Sequence, residues 1–407
     1  MNNSSSPTRA RIVAGALQDF LRNEAAGGIV LLVATVVALV WANSGWSSTY
    51  GDFWHTHVRI GPSSWGLDED LQHWVSDALM TVFFFLVGLE IKREATVGEL
   101  NKLSTVTLPA LAALGGMILP ALIFTATVGG GAASAGWAIP MATDIAFVVG
   151  VLALLGNRVP GGLKLFLLTL AIIDDIGAIT VIALFYSGGV SVAWLVGATA
   201  CIVAVGASRR FGLSSPLSYV PWGVALWYCT YRAGVHPTVA GVILGLLTPA
   251  VPIEGRHVLE NLEHRLHPWS AFLIVPVFAL ANAGVDLRGI ALTSLVSSRL
   301  TLGVVAGLIV GKTLGISLFA LGGRRLGMGR LPRGVGAGHM VCGGALGGIG
   351  FTVALFITTL AFSDETLQAQ AKTGILAGSI IAGAVGAATL AWLRDPSRED
   401  AQLPTPS

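Results

Sequence analysis

Apolar stretches long enough to cross a membrane recur along this chain, and no other feature restricts its fold as strongly. A helix needs about 20 apolar residues to span the hydrocarbon of a bilayer, and fewer where Gly or Pro interrupts it and protein surrounds the break. Twelve stretches qualify, near residues 26–42, 71–91, 105–128, 137–155, 163–186, 192–207, 218–231, 235–247, 269–285, 302–322, 341–362 and 373–393. Apolar residues make up 54% of the chain and charged residues 11%, where soluble domains carry about 25% charge. A water-soluble fold, a disordered chain and a nucleic-acid binder are therefore excluded, because 24 Lys and Arg against 22 Asp and Glu leave a net charge of only +2. What remains is an all-α polytopic membrane protein with the lipid bilayer as its first partner.

Three cysteines, Cys201, Cys229 and Cys342, all lie in apolar stretches and are odd in number, which reads as packing rather than a disulfide or metal set. The first apolar stretch follows Arg9, Arg11 and Arg22 and has no small-residue cleavage site after Ala42, so it is expected to be retained as a span. Basic residues near span ends are held on the cytoplasmic side. With the N-terminus inside, only Arg59, Arg232, Arg288, Arg299 and Lys372 fall outside, so both termini are expected to be cytoplasmic. The expected division is a cytoplasmic tail at 1–25, one transmembrane domain at 26–393 and a second cytoplasmic tail at 394–407. Between the first two spans, residues 58–65 set short apolar runs around a Gly-Pro turn. A small external β-hairpin or an ordinary loop fits that segment, and a hairpin's free edge invites pairing with a second copy.

Ionisable residues inside the stretches carry the functional signal, because a charge at mid-membrane costs about 3 kcal/mol or more and persists mainly where it lines a polar path. Asp77 falls in the second stretch, Asp144 in the fourth, Asp174 and Asp175 in the fifth, and Lys312 in the tenth. Asp174 and Asp175 are adjacent, with about ten apolar residues to either side. Helix neighbours point about 100° apart, so one carboxylate can meet a cation while the other turns to a different helix. Two carboxylates in one apolar cleft cannot both ionise cheaply, which makes a shared proton and cation site the expectation and a permanently paired structural couple the alternative.

Pro140, Thr143 and Asp144 share a short piece of the fourth span, which predicts a broken helix, with a plain proline kink as the alternative. Gly343, Gly344, Gly347, Gly348 and Gly350 predict a matching break in the eleventh, unless they serve only close helix contact. Two breaks in corresponding positions suggest inverted-topology repeats, spans three to five and ten to twelve. Facing half-helix ends need a balancing anion and cation, roles that Asp144 and Lys312 fit. Lys312 alternatively pairs with Asp174 or Asp144. Near the cytoplasmic ends, Glu90 and Glu94 close the second span, and Glu260, Glu263, His264 and His267 precede the ninth, either as a pH-responsive cluster or as a solvated loop. His236, beside Pro237, is expected to form hydrogen bonds rather than ligate.

Several ordered motifs resemble the NhaA-type bacterial Na+/H+ antiporters over nearly the whole chain. They are Phe83 through Glu94, Ala142-Thr143-Asp144-Ile145-Ala146, Ala171-Ile172-Ile173-Asp174-Asp175, Leu262-Glu263-His264, His267-Pro268-Trp269, Gly311-Lys312 and Gly348-Ile349-Gly350-Phe351-Thr352. The resemblance implies twelve spans, a homodimer joined partly through the external hairpin, steep activation at alkaline pH, and residence in the bacterial inner membrane. It gives the cation to Asp174 and Asp175, with Thr143 and Asp144 close by and Lys312 opposing them. Asp77 resembles an external-funnel carboxylate, and Glu90, Glu263, His264 and His236 resemble positions tied to pH response. Glu260 and Asn261 depart from the family's common basic residues, and Thr313 stands where proline can occur.

The expected activity is exchange of Na+ or Li+ for H+, with no cofactor and no enzymatic step. Cations need ionised oxygens that protons neutralise, so the two compete. If one cation displaces more than one proton, each cycle moves net charge. An intramembrane aspartyl protease using Asp144 and Asp175 is the enzymatic rival, but it lacks the Tyr-Asp and Gly-x-Gly-Asp patterns such proteases show. A proton-coupled symporter for an organic solute is the other rival, and few aromatic or polar groups stand near Asp174 to hold one.

Overall fold

The computed structural model describes residues 9–62, 66–101, 103–210, 220–250, 257–288 and 297–393. The C-terminal tail expected at 394–407 and the first eight residues of the N-terminal tail lie outside them. The rest of that N-terminal segment is helical, because α1 runs unbroken over Arg9–Asn43.

Seven helices among the described residues are long and apolar enough to cross a membrane, or eight if one bent pair counts as a single span. They comprise the apolar part of α1 with α3 (Leu71–Thr96), α4 (Leu103–Val128), the segment Ala132–Leu155, α6 (Gly161–Phe185), α12 (Arg299–Arg325) and α15 (Glu365–Trp392). The bent pair is α13 (Ala337–Leu346) with α14 (Phe351–Ala361), meeting at 48°. The chain is therefore a multi-pass, mostly helical membrane protein. The other stretches form shorter helices, α7 (Val192–Arg210), α8 (Val220–Arg232) and α9 (Thr238–Leu247), and the charged α10 (Val258–Trp269) leads into the last of them, α11 (Val275–Asn282). Length and hydropathy alone thus support fewer crossings than the twelve stretches in the sequence, since short helices cross only where protein surrounds them.

Helix α2 (Ser47–Trp54) leads into a hairpin of β1 (His57–Ile60) and β2 (Leu67–Asp70), antiparallel with His57 opposite Asp70 and Ile60 opposite Leu67. The second strand lies beyond the segment 58–65 expected from the sequence, and it is mostly acidic rather than apolar. Its anchors are polar. Asp70 accepts from the backbone N–H of His73 at 2.7 Å and caps the start of α3, and the Trp74 indole donates to the carbonyl of Val58 at 2.9 Å.

Close backbone approach explains part of the glycine content. A Cβ on Gly315 of α12 would lie 2.1 Å from the carbonyl oxygen of Gly115 in α4, so the two helices touch there and no larger residue fits. Among the described residues, three π-helical turns interrupt the helices, at Val75–Leu79 in α3, at Ser270–Ile274 between α10 and α11, and at Gly307–Gly311 in α12. Such turns widen a helix and re-aim side chains. The first holds Asp77, the second gives two residues to the cavity described below, and the third ends immediately before Lys312.

Candidate functional site

Two interrupted helices cross at the centre. A 3-10 helix over Ala132–Met141 ends in extended residues 142–144, and α5 (Ile145–Leu155) begins after them. Residues 347–350, a turn rather than an extended stretch, separate α13 from α14. The breaks are sewn together by Asp144 N–H donating to the carbonyl of Ile349 at 2.6 Å and Thr143 Oγ1 donating to the carbonyl of Gly347 at 3.0 Å.

Asp144 stands at both half-helix N-termini. Its Oδ1 accepts from Phe147 N–H at 3.2 Å in the first turn of α5, and its Oδ2 accepts from Thr352 N–H at 2.9 Å and Thr352 Oγ1 at 2.6 Å in the first turn of α14. A carboxylate satisfies orphan backbone donors and the positive helix ends together, which explains an acid only 2% exposed at this depth. Thr352 ends the Gly348–Thr352 motif, yet the sequence gives it no role of its own, because a threonine in an apolar stretch carries no signal until its partner is known.

The adjacent acids of α6 diverge. Asp174, 1% exposed, faces α12, where Lys312 Nζ, 0% exposed, donates to Oδ2 at 2.7 Å and to Thr143 Oγ1 at 2.9 Å. Each charge makes the other tolerable. The remaining oxygen of Asp174, Oδ1, is buried with no hydrogen-bond partner among the described residues. Asp175 turns the other way, into the wall of a cavity of about 90 Å³ shared with Glu90, Thr143, Asp144, His267 and Thr352. It is 7% exposed and makes no hydrogen bond or ion pair among the described residues. A water takes roughly 30 Å³, so the cavity has room for a partly hydrated monovalent ion. Hard monovalent cations favour oxygen ligands, and those are the donors here. Among the described residues, no cluster of three or more His, Cys, Asp or Glu is arranged to hold a metal ion.

The peripheral candidates separate. Glu90 lines the cavity, whereas Glu263 on α10 ties to Arg93 of α3 at 2.5 Å, with Glu94 on the other side of Arg93 at 3.2 Å. Burial holds the Glu263 carboxyl above the usual carboxylate range against the opposing pull of Arg93. His264 is exposed and lies off the cavity wall, while His267, one helical turn on, is part of it. His236 pairs with Asp77 at 3.3 Å through Nε2 and with Thr238 Oγ1 at 2.7 Å through Nδ1.

A helical membrane protein with two facing broken helices, an acid capping their N-termini and buried carboxylates beside a polar cavity has the build of a secondary transporter. The chain belongs to the NhaA-type Na+/H+ antiporter family. Residues 18–390 match the family described as Na+/H+ antiporter 1. The chain is 46% identical over 410 residues to Na(+)/H(+) antiporter NhaA 3 of Frankia alni, covering 93% of this chain and 89% of that one. It is 47% identical over 382 residues to Na(+)/H(+) antiporter NhaA of Escherichia coli O139:H28, covering 93% and 97%. To Na(+)/H(+) antiporter NhaA of Serratia proteamaculans it is 48% identical over 373 residues, covering 91% and 96%. These relatives are named as antiporters, which are transporters and not enzymes.

Proposed function

We propose that the protein exports Na+ or Li+ in exchange for protons, with Asp174 and Asp175 as the shared binding groups, Thr143 and Asp144 beside them and Lys312 as the counter-cation. The observation that carries this reading is the unequal state of the two acids. Asp174 is locked to Lys312, whereas Asp175 faces the cavity without a partner. A cation entering the cavity meets Asp175 first and draws on the orphan Oδ1 of Asp174. Once the cation takes Asp174, Lys312 is a buried ammonium without its acid, a costly state that losing a proton relieves. Protonation of the acids reverses these steps, so cation and protons occupy the site in turn.

Asp175 gives up a proton as it takes the cation and Lys312 gives up a second, so two protons leave for each cation on this route and the exchange is electrogenic. Every net charge crossing the bilayer then couples to the potential at about 2.3 kcal/mol per 100 mV. We read the bilayer arrangement as twelve spans in the bacterial inner membrane, with both termini and the tails 1–25 and 394–407 cytoplasmic and 26–393 as the transporter domain. The sequence of long, broken and long helices in α4 to α6 and again in α12 to α15 supports inverted repeats that rock around the site. The acidic and histidine groups near the cavity support regulation by pH. Glu90 and His267 line it, and Glu263 clasps Arg93 nearby. His264 and the His236–Asp77 pair are assigned to the same response, with Asp77 on the external side, and the hairpin edge is assigned to a homodimer contact.

The test is Asp175→Asn in proteoliposomes, which keeps the shape and removes the charge. Sodium-driven proton movement should fall by about 100-fold or more, as when a group acting only in the charged state is lost. An unchanged rate would remove Asp175 from the site.

A further inference from the structure

The π-helical turn at Val75–Leu79, which carries Asp77, is braced from outside α3 by a column of three rings. Trp74, the residue before the turn, stacks on Trp227 of α8 with centroids 6.2 Å apart and ring planes 22° apart. Trp227 and Tyr231 are four residues apart and so share one face of α8, where they stack at 6.1 Å and 25°. Both separations suit favourable ring pairs. The two ends of the column are fastened to a single rung of the hairpin, where Val58 of β1 stands opposite Glu69 of β2. At one end the Trp74 indole donates to the carbonyl of Val58 at 2.9 Å, and at the other the Tyr231 hydroxyl donates to Oε1 of Glu69. The middle ring reaches inward. Trp227 Nε1 donates at 3.0 Å to the backbone carbonyl of Asp77, which also accepts from Thr81 Oγ1 at 2.5 Å. None of these rings lines the cavity that Asp175 faces.

We infer that Trp227 is a positioning residue for Asp77, and that the hairpin rung of Val58 and Glu69 keeps Trp227 in place through Trp74 and Tyr231. This rests on the exchange proposed above, with Asp77 as the acid that a cation meets from the external side. A π turn re-aims the side chains it carries, so donors that hold its carbonyl also fix where the Asp77 carboxylate points. That carboxylate meets His236 Nε2 at 3.3 Å, and a shift of the turn would change the pairing. Trp227 touches no ion on this account. Its indole holds the backbone of an acid that does, and the bond from Tyr231 to a carboxylate is of the stronger, charge-assisted kind. The hairpin thereby contributes to cation affinity on its own side of the membrane without lining the ion path.

Sodium-driven proton movement in oriented proteoliposomes, with sodium added on the hairpin side, tests the inference. Trp227→Phe keeps a ring and removes the donor, so KM for sodium should rise about two- to tenfold, the range of one lost hydrogen bond, with kcat within about twofold. In an Asp77→Asn background, which itself raises KM, Trp227→Phe should add nothing, because the group it positions is gone. Tyr231→Phe and Glu69→Ala should raise the same KM, whereas Glu69→Gln, which keeps an acceptor for the hydroxyl, should not. An unchanged KM in Trp227→Phe, a loss confined to kcat, or effects that add to those of Asp77→Asn would overturn the inference. A wild-type KM in Asp77→Asn alone would refute the role given to Asp77 and the inference with it. If Trp227→Phe fails to reach the membrane, Tyr231→Phe carries the same expectation and the same contradiction. A second readout needs no transport. With Cys201, Cys229 and Cys342 replaced by Ser, Asp77→Cys is labelled from the hairpin side by a membrane-impermeant cationic methanethiosulfonate. Adding Trp227→Phe should slow that labelling by about threefold or more, as the released turn swings the thiol off the path. Slower labelling in vesicles that exchange no sodium would refute the exchange reading and leave the positioning standing, and equal rates would overturn the positioning whatever the vesicles exchange.

Discussion

Lys312 and Asp174 form a salt bridge with almost no solvent contact, and the cost of that burial fixes what substitution does to it. Removing one partner strands the other in an apolar crossing, a loss of about 3–5 kcal/mol. Lys312→Met alone should therefore lower the melting temperature sharply, and Lys312→Met with Asp174→Asn should recover most of the loss. A double-mutant cycle in detergent reads the coupling directly, and additive losses would show that the pair is not a unit. Asp174, Asp175, Asp144 and Lys312 were legible in the sequence because a charge inside an apolar stretch has no surface explanation. Thr352 was not. Threonine is ordinary in spans, and its part depends on an acid brought from a distant segment.

Broken helices were legible as elements because Pro140 and the glycines around Gly347 interrupt otherwise continuous apolar runs. The sequence could not show how the halves join, since the Asp144 to Ile349 and Thr143 to Gly347 bonds link segments some two hundred residues apart. At the hairpin the reading slipped for a different reason. The second strand, Leu67–Asp70, is acidic, and alternation of apolar residues does not mark it. Asp70 organises that element, accepting from His73 N–H at 2.7 Å, His73 Nδ1 at 2.7 Å and His55 Nδ1 at 3.3 Å. Burial pushes its carboxyl up, but the bonds from His73 and His55 prevail and hold it below the usual carboxylate range. An acid with a depressed folded-state pKa stabilises above its unfolded pKa, and that stability is lost as pH falls through the folded value. Asp70→Ala should cost about 1 kcal/mol, typical of a lost helix cap, at neutral pH. The cost should shrink toward strong acid, where the wild-type carboxylate is itself protonated. Melting temperatures across a pH series check this, and a loss independent of pH would contradict it.

At the scale of the whole molecule, the fold places a polar cavity beside two facing helix breaks. Helix class and membrane residence followed from length and composition. The cavity did not, because it is a space between helices whose tilt and spacing no single stretch encodes. The central claim is that protons and a small alkali cation take turns on the same oxygens. It is tested most directly by adding NaCl to the purified protein in weak buffer near the alkaline end of its working range, with bound sodium and released acid measured together. The account predicts more than one proton released per sodium bound, and weaker binding with less release in Asp175→Asn. Saturable sodium binding with no proton release would contradict it.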